Sequence, residues 1–211
     1  MMIYELQRFA EDTASLNARY GEMVERCQIY EAALSAPDSW AVPVAENADG
    51  AYQYIPCPLE TLAEILVDLN RHLPEDPDFR HSRQPIRPLS FLEIGCGIGR
   101  NLNLVGHQKL VPVSKAVGFD IIPAYIEVAQ RLYGLGENVF VQDAMTFDYG
   151  GFDLVFFYRP FSDDDLETAF EKYLLDSVKP GAVIIGMNAE HLDGSRRVAR
   201  FGDSGKLFKK L

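Results

Sequence analysis

The sequence has few cysteines, little positive charge and no long apolar run. Its three cysteines, Cys27, Cys57 and Cys96, are an odd and widely spaced set, which argues against a disulfide framework or a structural zinc site and indicates a reducing compartment. Only 20 Lys and Arg stand against 31 Asp and Glu, so a nucleic-acid backbone is not the expected partner. No apolar run approaches the roughly 18 residues that span a bilayer, and the N-terminus lacks a secretory signal pattern. These absences predict a soluble cytoplasmic protein without membrane association.

The composition is that of a globular protein. Apolar residue types make up 47% and charged types 24% of the 211 residues, and the 13 Phe and 10 Tyr can build a substantial core. This length accommodates one domain with an extension, or two small domains. We place the division near residue 85, with an N-terminal helical extension over 1–85 and the main domain over 86–211.

The extension contains two helical patterns. Between Leu16 and Leu34 apolar or semi-apolar residues recur in steps of three and four, which predicts one amphipathic helix lying across the main domain. The alternative is a short coiled-coil seam that would make the protein a homodimer. A second helix is predicted over Pro58–Leu73, because Pro58 suits a first helical turn and leucines recur on one face.

The main domain alternates short apolar runs with amphipathic segments. The runs are continuous rather than alternating, as expected for strands covered by helices on both faces. Repeated strand–helix–strand order predicts an α/β fold with a doubly wound, mostly parallel sheet. The predicted strands are Ser90–Ile94, Lys115–Asp120, Asn138–Gln142, Phe152–Tyr158 and Ala182–Asn188, and the predicted helices are Arg100 to about Leu110, Pro123–Tyr133 and Asp163–Ser177, with Ser162 as the N-cap.

Chemically informative residues follow the strand ends. The first strand runs into a glycine-rich turn from Gly95 to Gly99, where a ligand can approach bare backbone next to a helix N-terminus. Asp120 closes the second strand, where a carboxylate can accept hydrogen bonds from ribose hydroxyls. Asp143 and Ala144 follow the third strand and could read the edge of an adenine ring. The fourth strand delivers Tyr158-Arg159-Pro160-Phe161 to the same edge of the sheet.

This ordered set resembles the class I S-adenosylmethionine-dependent methyltransferases, which have a Rossmann-like, seven-stranded type of sheet. The resemblance runs from about Ser90 to Asn188. The matching pieces are the acidic-x-Gly-x-Gly-x-Gly signature from Glu93 to Gly99, the Gly-x-Asp ending at Asp120, Asp143-Ala144, Phe152-Asp153-Leu154-Val155, and Lys179-Pro180-Gly181.

The resemblance implies a methyltransferase that uses S-adenosyl-L-methionine. The backbone of Gly95 and Gly97 would hold the cofactor, Glu93 would lie near its methionine amino group, and Asp120 would hold the ribose. Asp143 and Ala144 would hold the adenine. The cofactor-binding set that we predict is Glu93, Gly95, Cys96, Gly97, Asp120, Ile121, Asp143, Ala144 and Tyr158.

The acceptor is not specified by the sequence. Family members that methylate amide or base amino groups carry Asn/Asp-Pro-Pro-Tyr/Phe where this chain has Tyr158-Arg159-Pro160-Phe161, so we expect a different small-molecule or protein acceptor. Tyr158 and Arg159 are the candidate catalytic residues, with Phe157, Tyr158 and Phe161 as candidate aromatic neighbours of the sulfonium. No metal is predicted, because the carboxylate set of metal-dependent members is not evident.

Two other functions and one structural departure remain. A degenerate domain that binds cofactor or a partner subunit is one alternative. A nicotinamide-dependent oxidoreductase is another, but the third glycine comes one position earlier than its Gly-x-Gly-x-x-Gly fingerprint requires. The C-terminus is short, and Arg197–Phe201 and Lys206–Leu211 predict an abbreviated antiparallel hairpin.

Overall fold

A computed structural model describes residues 55–80 and 86–211, together with the single positions 14, 18, 21 and 25. Those four positions are helical and exposed. Each of them lies two residues from at least one predicted apolar position, a step of about 200° around a helix. The apolar face itself, and with it the homodimer prediction, lies outside the described residues. Within the described part of the chain, no helix is both long and apolar enough to cross a membrane.

Seven strands form one mixed sheet, which confirms the α/β, Rossmann-like prediction. Their order is β3-β2-β1-β4-β5-β7-β6. Strands β1 to β5 pair in parallel, whereas β7 is antiparallel to both β5 and β6. The predicted C-terminal hairpin is therefore present, and its second strand lies inside the sheet. The strands are β1 Leu89–Ile94, β2 Val113–Asp120, β3 Val139–Val141, β4 Leu154–Tyr158, β5 Val183–Met187, β6 Val198–Phe201 and β7 Leu207–Lys210.

The labelled helices are α1 Leu59–His72, α2 Arg100–His107, α3 Pro123–Tyr133, α4 Asp164–Ser177 and the short α5 Glu190–Asp193. Helix α2 ends before the predicted Leu110, because Gln108 leaves the helical region and its side-chain oxygen accepts the Leu110 and Val111 N–H groups. Helix α4 starts one residue late, because the Asp163 carboxylate, rather than Ser162, accepts the first N–H groups.

Apolar side chains fill both faces of the sheet. Phe156 belongs to the core on the face that also carries α1 and α2, and its neighbour Phe157 belongs to the core under α4. Successive strand residues point to opposite faces. Because both faces are covered, the inner strands β4 and β5 carry no charged residue, and their sequences show no alternation of apolar and polar positions.

Residues 55–80 pack into the same core as the sheet. Leu62, Leu66 and Leu69 of α1 are completely buried in the cluster that includes β1 and β5 residues. At the other end of the segment, Lys209 of β7 binds Asp76 with N–O distances of 2.6 and 2.7 Å. Helix α1 and the hairpin are thus held together, while the boundary near residue 85 remains a prediction.

Asp68 of α1 forms the second link to the hairpin. Its carboxylate accepts the backbone N–H groups of Asp203 at 3.0 Å and Ser204 at 2.8 Å, and His72 Nδ1 lies 2.9 Å from it. These backbone hydrogen bonds, with His72, hold the pKa of Asp68 below its usual range despite burial. Asp68, His72 and Asp203 form a group of potential metal ligands, but the Asp68 oxygens are already used by the hairpin backbone.

Asp153 joins the amino-terminal ends of the parallel strands β1, β4 and β5. It accepts hydrogen bonds from Arg87, from the Ser90 N–H and hydroxyl, and from Lys179. Burial opposes its ionisation, but these partners dominate and hold the Asp153 pKa well below its usual range. Its role is therefore structural.

Candidate functional site

The carboxyl ends of the parallel strands open onto a cavity of about 280 Å³. In a parallel sheet all of these ends lie at one edge. From this edge the chain continues from β1 into α2 on one face of the sheet, and from β4 into α4 on the other face. All nine residues predicted to bind the cofactor line this cavity: Glu93, Gly95, Cys96, Gly97, Asp120, Ile121, Asp143, Ala144 and Tyr158. The structure brings together every member of that set.

The glycine turn after β1 is shaped by left-handed backbone. Gly95, Gly97 and Gly99 have φ values of +67°, +52° and +78°, a region that glycine enters at no steric cost. The N–H of Gly97 donates to Asp120 Oδ2 at 2.9 Å, and the N–H of Cys96 donates to the Phe119 carbonyl at 2.9 Å. These two donors are therefore used within the protein, rather than facing a ligand as bare N–H groups.

Asp120 is fixed at the end of β2. It is 8% exposed, and its second oxygen accepts the Ile122 N–H at 3.0 Å. Burial raises the pKa of Asp120, and the backbone hydrogen bonds oppose that shift. An ionised carboxylate has about four acceptor positions, so the backbone hydrogen bonds do not use all of them and acceptor capacity remains for a ligand.

Glu93, the acidic residue at the end of β1, is 2% exposed. Its Oε1 accepts a hydrogen bond of 2.7 Å from the Asn101 side-chain amide, and its Oε2 has no hydrogen-bond partner within the described part of the chain. Burial raises the Glu93 pKa to about 8; the Asp120 charge adds to this, and the Asn101 hydrogen bond and Arg100 charge oppose it. Glu93 thus presents a buried acceptor atom at the cavity wall.

Asp143 and Ala144 lie in the turn after β3 and also line the cavity. The Asp143 Oδ1 accepts the Met145 N–H at 2.8 Å, and the buried Tyr149 hydroxyl donates to the Ala144 carbonyl at 2.7 Å. Asp143 is exposed. Its carboxylate therefore stabilises the local turn after β3 and borders the cavity as well.

The segments after β4 and β5 have strained backbone. Arg159 and Asn188 have φ values of +38° and +60° without being glycine, and both line the cavity. Such conformations cost about 1–3 kcal/mol and cluster at functional sites. The Arg159 guanidinium pairs with Asp164 at the start of α4, and the Phe161 N–H donates to Glu167 Oε2 at 3.0 Å.

The aromatic residues of β4 divide differently from the prediction. Tyr158 and Phe161 line the cavity, but Phe157 does not. Phe157 is completely buried and packs edge-on against Phe170 of α4, with ring centroids 5.2 Å apart. Phe156 lines the cavity in its place, because the strand alternation points it to the other face.

Sequence reasoning missed part of the cavity wall. Ile55, Pro56 and Cys57 lie against it, and Arg100 donates a hydrogen bond to the Cys57 carbonyl. This contact joins residues 43 positions apart, so no local sequence pattern could predict it. Asn101 also lines the cavity. Its position two residues after the glycine turn indicates that it lies at this edge of the sheet, so it could have been predicted.

Comparison with known proteins identifies the central part of the chain. Residues 91–181 match the family model described as a methyltransferase domain. No curated protein matches the sequence. Solved structures similar to this chain include an RNA methyltransferase from Salinibacter ruber in complex with S-adenosyl-L-homocysteine. It is 14% identical, with a TM-score of 0.47, and the match covers 74% of this chain and 91% of that one.

Two further structures share the likeness. The amino pentose methyltransferase CalS10 from Micromonospora echinaspora, solved with bound S-adenosylmethionine, is 17% identical with a TM-score of 0.44; 64% of this chain and 58% of that chain are covered. The Thermoplasma acidophilum protein 1320 is 21% identical with a TM-score of 0.47, and the match covers 67% and 72% of the two chains.

Proposed function

We propose that the chain, whose residues 91–181 match the family model of a methyltransferase domain, is a class I S-adenosylmethionine-dependent methyltransferase, and that its cavity residues hold the cofactor and mark where methyl transfer occurs. The observation that carries the proposal is that the nine residues predicted to bind cofactor all line one cavity at the carboxyl edge of the sheet. The orphaned Glu93 Oε2 and the remaining acceptor positions of Asp120 fit a ligand with an ammonium group and ribose hydroxyls.

The β2–β3 side of the cavity would hold the adenosine. Asp120 would accept hydrogen bonds from the ribose hydroxyls, because backbone N–H groups fix its carboxylate and leave some of its lone pairs free. Ile121, which is 45% exposed, offers an apolar surface beside it. Asp143 and Ala144 would border the adenine, and Glu93 would accept a hydrogen bond from the amino group of the methionine portion.

The acceptor would enter on the other side, beyond β4 and β5. The sheet order places these strand ends across β1 from Asp120 and Asp143, and Tyr158, Arg159 and Asn188 line this part of the wall. We propose a small-molecule or protein acceptor whose nucleophilic atom reaches the cavity here. Tyr158 and Arg159 are the residues placed to orient it.

S-Adenosylmethionine supplies an electrophilic methyl group on a sulfonium centre. The chain contributes mainly alignment, since in-line displacement depends on holding nucleophile, methyl carbon and sulfur in one line. Tyr158 and Phe161 line the cavity, and aromatic rings suit a sulfonium cation. The strained backbone at Arg159 and Asn188 fixes the two segments that border the acceptor.

Calorimetric titration with S-adenosylmethionine, S-adenosylhomocysteine and NAD(H) in parallel tests the cofactor assignment. We expect binding of the two adenosyl compounds alone. Asp120→Ala should weaken that binding by about 1.5–3 kcal/mol, the contribution of hydrogen bonds to a charged group. Asp148→Ala is the matched control, because Asp148 is an exposed carboxylate that does not line the cavity.

Binding of NAD(H) alone, or equal affinity in the Asp120→Ala variant, would contradict the proposal. Acceptor class is tested separately by incubating the protein with S-adenosylmethionine labelled in its methyl group and cell extract. Label in the fraction that passes a small-pore filter identifies a small-molecule acceptor, and label on retained protein identifies a protein acceptor.

A further inference from the structure

Two buried acceptor atoms belong to neighbouring side chains that line the cavity. Glu93 and Asn101 both line it, and their exposed fractions are 2% and 8%. Within residues 55–80 and 86–211, neither Glu93 Oε2 nor Asn101 Oδ1 has a hydrogen-bond partner. A buried polar atom left without a partner costs about 1–3 kcal/mol. Two such atoms in one wall therefore indicate a ligand that supplies hydrogen-bond donors.

The orientation of Asn101 is set by its hydrogen bond to Glu93. The Asn101 Nδ2 donates to Glu93 Oε1 at 2.7 Å, so its carbonyl oxygen is the atom left over. Asn101 sits in the first turn of α2, directly after Gly99 and Arg100. The helix backbone thus holds the amide beside the carboxyl group. Once Glu93 is ionised, its Oε2 and the Asn101 Oδ1 are both acceptors without a donor of their own.

A primary ammonium group is the ligand chemistry that fits. It carries three N–H donors and no acceptor, so one group can satisfy both oxygens. Its positive charge also complements the carboxylate of Glu93, which is buried and has the negative charge of Asp120 nearby.

We infer that Asn101 is a cofactor-binding residue whose Oδ1 accepts a hydrogen bond from the amino group of the methionine portion, alongside Glu93 Oε2. This inference rests on the proposed function, since it assumes that the cavity holds S-adenosylmethionine. It assigns Asn101 a direct contact, in addition to its hydrogen bond to Glu93.

Two probes separate the amino-acid portion from the rest of the cofactor. S-Adenosylhomocysteine carries the amino group, and 5′-methylthioadenosine has the same adenosine and sulfur without it. Asn101→Ala should lower affinity for S-adenosylhomocysteine by about tenfold or more, and should change affinity for 5′-methylthioadenosine by less than about twofold. Asn103→Ala is the control, because Asn103 is a buried asparagine of the same helix that does not line the cavity.

Repeating the substitution in a Glu93→Ala background distinguishes direct contact from support of Glu93. A direct contact predicts that Asn101→Ala still lowers affinity for S-adenosylhomocysteine in that background. If the effect vanishes there, or if both probes lose affinity equally, the inference is wrong. Failure of the unmodified protein to bind either probe would instead refute the proposed function.

A measurement on the unmodified protein covers the case in which these variants do not fold. The Asn101 side-chain amide signals in an NMR spectrum should shift on addition of S-adenosylhomocysteine and stay near their free positions with 5′-methylthioadenosine. Equal shifts with both probes would overturn the inference.

Discussion

Asn188 shows how a single backbone angle shapes the site. It follows β5, lines the cavity and has a φ of +60°. Asparagine enters this left-handed region more readily than other residues with a side chain, because its short polar side chain can hydrogen-bond locally. The residue type at this position is therefore explained by backbone geometry before any contact with substrate is considered.

Replacing Asn188 tests that explanation. Asn188→Ala should lower the free energy of unfolding by about 1 kcal/mol, because a Cβ without the compensating amide is disfavoured at positive φ. Asn188→Gly should preserve the stability of the original protein or raise it. Denaturant unfolding measures both variants, and equal stability of the Ala and Gly variants would show that the backbone angle is not the determining factor.

At the scale of elements, α4 holds the segments that follow β4 and β5, which we propose to lie beside the acceptor. Glu167 accepts the Phe161 N–H after β4, and Glu171, one turn later, accepts the Leu192 N–H at 2.7 Å in α5 after β5. The two carboxylates are buried. Residues four apart on a helix share one face, so a single helix surface sets the position of both segments.

The Asp153 cluster performs the corresponding task at the other end of the strands. Asp153→Ala should lower the free energy of unfolding by about 2–3 kcal/mol, less than for a fully buried ion pair because Arg87 and Lys179 are about one-third exposed. The lowered Asp153 pKa means that its stabilisation is present above its ordinary pKa and is lost as the pH falls below it. Urea titration of the variant at neutral pH measures the effect, with the exposed Asp148→Ala as control. A change below about 0.5 kcal/mol would contradict a structural role.

Elements with strong local signals were predictable from the sequence. Helix α3 has the predicted bounds Pro123–Tyr133, because proline at its start and Gly134 after its end define both termini. Helix α5 was missed, since four residues carry no periodicity. The wall residues around Cys57 were missed as well, because they reach the cavity through a contact distant in sequence.

The cavity was predictable to the extent that it depends on strand ends. Carboxyl ends of parallel strands converge, which is why residues as far apart as Glu93, Asp120 and Asp143 can be grouped from the sequence alone. Which side chains of a strand face the cavity was harder to predict. Phe157 was assigned to it and Phe156 was not, because a strand buried on both faces gives no sequence signal for which side chain faces which way.

For the whole molecule, buried carboxyl groups predict how stability changes with pH. Burial raises the pKa values of Glu93, Glu167 and Glu171 to about 8, 7 and 6. Each group binds its proton more tightly in the folded than in the unfolded chain, so the stability it contributes is complete below pH 4.5 and is lost as the pH rises through the folded pKa. The net charge of −11 acts in the same direction through self-repulsion.

We therefore expect the free energy of unfolding to be smaller at pH 8 than at pH 5. Glu167→Gln should reduce that difference by about 2 kcal/mol, because the amide cannot ionise. Glu64→Gln, at an exposed position of α1, should leave the difference unchanged. Chemical denaturation at the two pH values measures both, and stability that stays constant or rises between them would refute the prediction.

The links between α1 and the hairpin also have a consequence for how the protein is made. Asp68 contacts backbone 135 and 136 residues later, Asp76 contacts Lys209 133 residues later, and β7 fills the position between β5 and β6. Synthesis proceeds from the N-terminus, and such distant contacts form slowly. The hydrogen bonds of Asp68 and Asp76 and the pairing of the β5 edge must therefore wait for residues 202–210 to leave the ribosome. Until then the nascent chain exposes an open sheet edge, which is the kind of surface that chaperones protect.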